Sequence, residues 1–234
     1  MPVVLGSGLT IGTGISVGDI APGIVTNGLI ARLDASNTSS YPGTGTTITD
    51  LSGQGATGTI NGTISFVSAG QASYWNFATS SDSNYISSTL TQAYLDCTMV
   101  FYPDFTSTTG LAGLIANSTP AAGNDDSLRF NTVNGTGPWS IGNPGDGNDW
   151  AYLTSTKYYV NGAVSNTLVS GWNIFGGYRT NTFFTSPFAY YLGSSGYPSR
   201  GFQGRLAVAL LYNRQLNPAE QLLNYTALRG RFGL

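Results

Sequence analysis

Four Asn-Gly pairs, at 27/28, 61/62, 134/135 and 161/162, punctuate a chain whose apolar residues come in short alternating runs. Asn-Gly is the dipeptide that most readily takes positive φ at both central positions of a two-residue hairpin turn. The pair at 161/162 lies between Tyr158-Tyr-Val160 and Ala163-Val164, so it predicts a hairpin there. Glycine supplies 32 of 234 residues and tyrosine 14, and Ser, Thr and Asn fill much of the remainder. Such a chain makes many short strands joined by tight turns, and with hardly any helical periodicity it predicts a β-sandwich. Aromatic residues at 12% exclude a disordered chain, which lacks the bulk to form a core.

The missing side chains narrow the chemistry further. There is no histidine and a single cysteine, Cys97. A His/Cys zinc site, a Ser-His-Asp triad and a Cys-His pair are therefore excluded within this chain, as is an internal disulfide. Cys97 itself reads as a small buried hydrophobe in a strand. Nine Lys+Arg against eleven Asp+Glu leave a net charge of −2, with no basic stripe of the kind that displaces counterions from nucleic-acid phosphates. No apolar run approaches the roughly 20 residues of a membrane-spanning helix, and the N-terminus lacks the basic start of a targeting signal.

Residues 1–26 differ from the rest. Gly8-Leu-Thr-Ile-Gly12 and Gly14-Ile-Ser-Val-Gly18 repeat one pattern, placing Leu9, Ile11, Ile15 and Val17 on one side of an extended chain. Two readings stand: an anchoring arm that adds a strand to a partner or to another copy, and an edge strand of the domain's own sheet. Residues 27–234 form the domain proper. Strands are predicted at 28–34, 58–66, 95–102, 127–130, 157–160, 173–175 and 202–212. In the third, Leu95, Cys97, Met99 and Phe101 share a face. One helix is predicted, at about 218–229. Asn217 is its N-cap, Pro218 its first residue and Glu220 the third member of a capping box, with Leu222, Leu223, Ala227 and Leu228 as its apolar side and Gly230 as its stop.

Three blocks carry a family resemblance. Gly28-Leu-Ile-Ala-Arg-Leu-Asp-Ala-Ser-Asn37 with Asp50-Leu-Ser-Gly-Gln-Gly55 opens the domain, and Tyr158-Tyr-Val-Asn-Gly162 lies in its second half. Phe202-Gln-Gly-Arg-Leu-Ala-Val208 followed by Leu211-Tyr-Asn-Arg-Gln-Leu-Asn-Pro-Ala-Glu220 closes it. Together they resemble the concanavalin A-like lectin/glucanase superfamily in its laminin-G-like form, most of all the version in tailed-bacteriophage virion proteins. The resemblance implies a jelly-roll β-sandwich of two antiparallel sheets. It also implies a place on the outer surface of a virion, as capsid decoration or tail-fibre appendage, in contact with other virion proteins and copies of itself.

The glucanases of that superfamily work with paired glutamates, and glycoside hydrolysis in general needs two carboxylates. This chain has one glutamate, Glu220, in a capping position. The expectation is therefore a protein that is not an enzyme. The close aspartate pairs, Asp125 with Asp126 and Asp146 with Asp149, lie in Gly/Asn segments and read first as turn formers. Calcium is the cation their oxygens would suit, and no other cofactor is expected. A sugar site would need an aromatic platform beside polar groups, and 133–150 offers Trp139, Trp150, Asn143 and Asn148. Core filling is the competing role for the two tryptophans, as it is the expected one for Trp75 and Trp172. Functionally the chain reads as an externally displayed structural protein, with a lectin for host-surface glycans as the alternative and a glycoside hydrolase behind both.

Overall fold

The computed structural model describes residues 4–5, 9–10, 23–89, 96–104, 111–116, 127–132, 139–142, 158–165, 167–178, 189–194 and 200–234. In chain order the strands begin with β1 (Val4–Leu5), β2 (Leu9–Thr10), β3 (Leu29–Asp34), β4 (Thr47–Ile48), β5 (Gly58–Asn61) and β6 (Ser65–Val67). Next come β7 (Tyr74–Phe77), β8 (Tyr85–Thr89), β9 (Asp96–Pro103), β10 (Leu111–Ala116), β11 (Ser127–Thr132) and β12 (Trp139–Gly142). The last are β13 (Tyr158–Val160), β14 (Ala163–Val164), β15 (Asn173–Tyr178), β16 (Ala189–Leu192) and β17 (Gly204–Tyr212), and the helix α1 (Pro218–Arg229) follows.

They build two antiparallel sheets. One runs β14-β13-β15-β9-β17-β7-β6, with β3 joining β17 on the side of β7; the other runs β12-β11-β10-β16-β8-β5-β4. Their facing sides enclose Leu33, Trp75, Phe77, Ile86, Met99, Phe101, Phe175, Tyr190 and Leu206, all nearly or wholly inaccessible. The predicted all-β sandwich is thus the fold. The hairpin at 161/162 forms as expected, with Asn161 at φ 51 and Gly162 at φ 80. The single run predicted at 58–66 is two strands, because Gly62 (φ 78) turns the chain where a side chain would strike the Ser83 backbone.

A third layer explains β9 and β17, which are buried on both faces. Cys97, Met99 and Phe101 point between the sheets as predicted, while Val100 on the opposite face is equally buried, under α1. In β17 the register shifts between Leu206 and Val208. The extra residue of this bulge, Ala207, lets both Ala207 and Val208 face the helix side, with Leu206 and Ala209 facing the other sheet. Trp75 lies in the inter-sheet core as expected. Trp172 does not: it is half-buried on the helix-bearing outer face, against Tyr74, Tyr102 and Phe232.

The helix spans the predicted residues and its capping box is complete, Glu220 N donating to Asn217 Oδ1 at 3.0 Å and Asn217 N to Glu220 Oε2 at 2.9 Å. Arg214 grips the same glutamate through both nitrogens, at 2.6 and 2.9 Å. Its buried face departs from the expectation. Leu222 and Leu223 are 51% and 37% exposed, and the side turned inward carries Gln221, Asn224 and Leu228. The sheet beneath presents polar groups, Asp96 and Thr98, and the helix meets them with polar partners. Gly230 ends the helix in the right-handed region (φ −62), and the left-handed turn falls at Gly233 (φ 71).

Residues 4–5 and 9–10 pair with each other, Val4 opposite Thr10 and Leu5 opposite Leu9. Among the described residues this ladder joins neither sandwich sheet. Leu9 lies in β2; Ile11, Ile15 and Val17 lie outside the described residues.

Candidate functional site

Strand alternation places a row of small hydroxyls and one phenol on the outer face of the second sheet. Thr47 pairs with Thr59, Thr59 with Ser87, and Ser87 with Tyr191 across β4, β5, β8 and β16. Their neighbours along each strand, Ile48, Ile60, Ile86 and Tyr190, point into the core and fix the opposite orientation of the row. A second row beside it carries Asn61 opposite Tyr85. Together with Gly55, Thr57, Ser88 and Ala189, the residues Thr59, Tyr85, Ser87 and Tyr191 line an open groove of about 480 Å³.

Every side chain lining this groove is uncharged. Asn61 Nδ2 donates to Ser87 Oγ at 3.1 Å, which leaves the Ser87 proton available to a ligand. Tyr85 and Tyr191 meet edge to face, with ring centroids 5.6 Å apart. Partial burial, with Tyr85 alongside, pushes the Tyr191 phenol up, so it stays protonated and able to donate at neutral pH. Hydroxyls, an amide and a paired aromatic surface match a ligand that has many hydroxyls and apolar C–H faces.

Several carboxylates among the described residues are fully occupied by the fold. Burial raises Asp34, but the Arg231 guanidinium beside it, at 2.7 and 2.9 Å, more than reverses this and holds it below its usual range. Asp50 caps the 50–56 loop, accepting from the backbone N–H groups of Arg32 and Ser52 and from the Ser52 hydroxyl. Asp96 is buried under α1, Asp104 accepts from Gln203, and Glu220 caps the helix. None of these five is among the residues lining the groove.

The residues singled out from the sequence fall elsewhere. Trp139 begins β12, at one end of the same seven-stranded sheet. Trp150, Asn143, Asn148, Asp125, Asp126, Asp146 and Asp149 lie outside the described residues. Among the described residues no three His, Cys, Asp or Glu side chains come together as a cation would require. Sequence reading missed the groove because it looked for tryptophans and acids in loops. The available signal was the alternation itself: Gly58-Thr-Ile-Asn61, Tyr85-Ile-Ser87 and Ala189-Tyr-Tyr-Leu192 each set a polar or phenolic residue opposite a buried one.

These sheets, stacked over one core, define an antiparallel β-sandwich domain. Sialidase structures share that fold. A Trypanosoma rangeli sialidase superposes with a TM-score of 0.53 at 14% identity, covering 91% of this chain and 36% of that one. The same enzyme with 2,3-difluorosialic acid, as a covalent intermediate, gives 0.52 at 13% identity, over 94% of this chain and 35% of that one. Domain 4 of AbnA, a GH43 extracellular arabinanase from Geobacillus stearothermophilus, in complex with arabinotriose, gives 0.46 at 16% identity, over 85% and 98%. The chain spans about a third of the length of the sialidases it matches. No protein-family model matches it, and no curated protein does.

Proposed function

We propose that this chain is a non-catalytic carbohydrate-binding domain that takes a neutral oligosaccharide across the β5–β8–β16 face. The observation that carries the reading is the uncharged lining of the groove: Thr57, Thr59, Ser87 and the Tyr85–Tyr191 pair, with no carboxylate among the described residues that line it. Hydrolysis of a glycosidic bond would need two suitably separated acids at the ligand, and Asp34, Asp50, Asp96, Asp104 and Glu220 are engaged in caps, ion pairs and hydrogen bonds away from the groove lining. A glycan array tests this. Wild-type protein is expected to retain neutral glycans, and Tyr191→Ala to lose them by tenfold or more while its thermal midpoint stays close to wild type. Silence across a broad array, or unchanged binding by Tyr191→Ala, contradicts the groove.

A second reading concerns where such a domain is held. The opening and closing blocks resemble phage virion proteins, and residues 4–5 and 9–10 pair with each other rather than with a sandwich sheet, whereas Ile24 and Val25 already pack against the domain. Both support an arm that fixes the domain to the outer surface of a particle, against other virion proteins or further copies. Deleting residues 1–22 is then expected to leave a folded domain that no longer joins its assembly, and normal incorporation of the truncated chain would refute this.

A further inference from the structure

The opposite outer face of the sandwich carries a second row of unspent polar groups, beyond the end of α1. Cross-strand register aligns Tyr102 of β9, Arg205 of β17, Asn76 of β7 and Ser65 of β6. Leu206, Trp75 and Phe66, each one residue along, face the core and so turn this row outward. Arg205 is exposed, and its guanidinium lies over the rings of Tyr102 at 4.7 Å and Tyr74 at 5.2 Å. Trp172 buttresses both tyrosines edge to face, at 5.8 Å each. Among the described residues no carboxylate lies within ion-pair distance of Arg205, whose contacts are the two rings. The Asn76 amide has no hydrogen-bond partner among them either. Among the described residues Arg32, Arg214 and Arg231 pair with acids, whereas Arg205 lies over two rings with no acid beside it.

We infer that this row is a second binding site, for a saccharide bearing a carboxylate. A guanidinium fixed between two rings presents its N–H fork outward with little freedom left to lose, the arrangement that favours a bidentate hold on a carboxylate. Asn76 and Ser65 continue the row with an amide and a hydroxyl, one strand spacing of roughly 4.8 Å apart, suited to successive sugar hydroxyls. The ligand extends from Arg205 toward β6. Asp104, two residues past Tyr102 along β9 and held by Gln203 Nε2 at 3.1 Å, lies off the row beyond the end of β9. An acidic peptide is the less favoured occupant. Strand addition needs open backbone groups, and β9, β17 and β7 are paired on both sides. The site is separate from the groove and does not depend on it.

The probes are tetragalacturonate, its fully methyl-esterified form and a tetraglutamate peptide, titrated calorimetrically against the full chain at low salt. Wild-type protein is expected to bind tetragalacturonate at least tenfold more tightly than the ester, with tetraglutamate weaker than both. Arg205→Gln is expected to remove the preference for the free acid, and Asn76→Ala to weaken acid and ester alike. Tyr191→Ala, across the sandwich, is expected to change none of these, which separates this site from the groove. Equal binding of acid and ester by the wild type, an unchanged preference in a folded Arg205→Gln, or tetraglutamate binding as tightly as tetragalacturonate overturns the proposal.

Discussion

Raising the pH from about 4 to about 8 is expected to destabilise the fold by on the order of 4 kcal/mol through one residue, Asp96. Its carboxyl is 1% exposed beneath α1, accepting from Leu216 N at 2.9 Å and from Gln221 Nε2 at 3.0 and 3.1 Å. Burial raises it from the usual 3.8 to about 7, against the opposing pull of those hydrogen bonds. The folded state therefore holds a proton that the unfolded chain has already released. This contribution is fully present below about pH 4 and is lost as pH climbs through about 7. Asp34, held low by Arg231, works in the other direction and loses its contribution only in acid. Urea melts across this range should show stability falling toward alkaline pH, and Asp96→Asn should flatten the slope. An asparagine fits because Gln221 Oε1 is buried without a partner; turning that amide over supplies one. A wild-type stability that rises from pH 5 to 8 would show that Asp96 is ionised in the fold.

The second large effect is expected at Asn224, which is wholly buried. Its Oδ1 accepts from Val25 N at 2.8 Å, and its Nδ2 donates to Thr98 Oγ1 at 2.9 Å and to Tyr212 Oη at 3.0 Å. Tyr212 Oη in turn donates to Val25 O at 3.1 Å. One amide thereby joins the helix, two central strands and the segment entering β3. Asn224→Ala takes their partner from the Val25 N–H and the Thr98 hydroxyl and a donor from Tyr212 Oη, all in a buried site, and such buried orphans cost about 1–3 kcal/mol each. A loss of about 3–5 kcal/mol is expected, read as a midpoint lowered by roughly 10 °C in a thermal melt. Leu222→Ser on the exposed side of the same helix should shift the midpoint little. Equal effects of the two substitutions would contradict the orientation of α1.

This helix shows where reading the sequence succeeds and where it stops. Its ends were legible because capping is local: Asn217, Pro218 and Glu220 act within one turn. Its buried face was not, because that depends on what lies beneath. Leucines at 222 and 223 suggest an inward side, yet Asp96 and Thr98 on β9 draw Gln221 and Asn224 inward. The same limit hid the groove. The Asn161-Gly162 hairpin and the alternation of β9 are visible in a few consecutive residues. Thr59, Ser87 and Tyr191 come together only through pairing between strands distant in sequence. The tryptophans and aspartates of 133–150 attracted attention for their residue types, whereas the groove is made of residues common everywhere in this chain.

The β5–β8–β16 face, as proposed, holds a neutral glycan and leaves it intact. The most direct measurement is an NMR titration with neutral oligosaccharides that follows the tyrosine ring resonances and the sugar's reducing-end signals in one sample. Saturable shifts at Tyr85 and Tyr191 are expected, with their loss in Tyr191→Ala and a constant reducing-end signal over days. New reducing ends formed by the wild-type protein, or saturable binding that leaves both rings unperturbed, would contradict this reading.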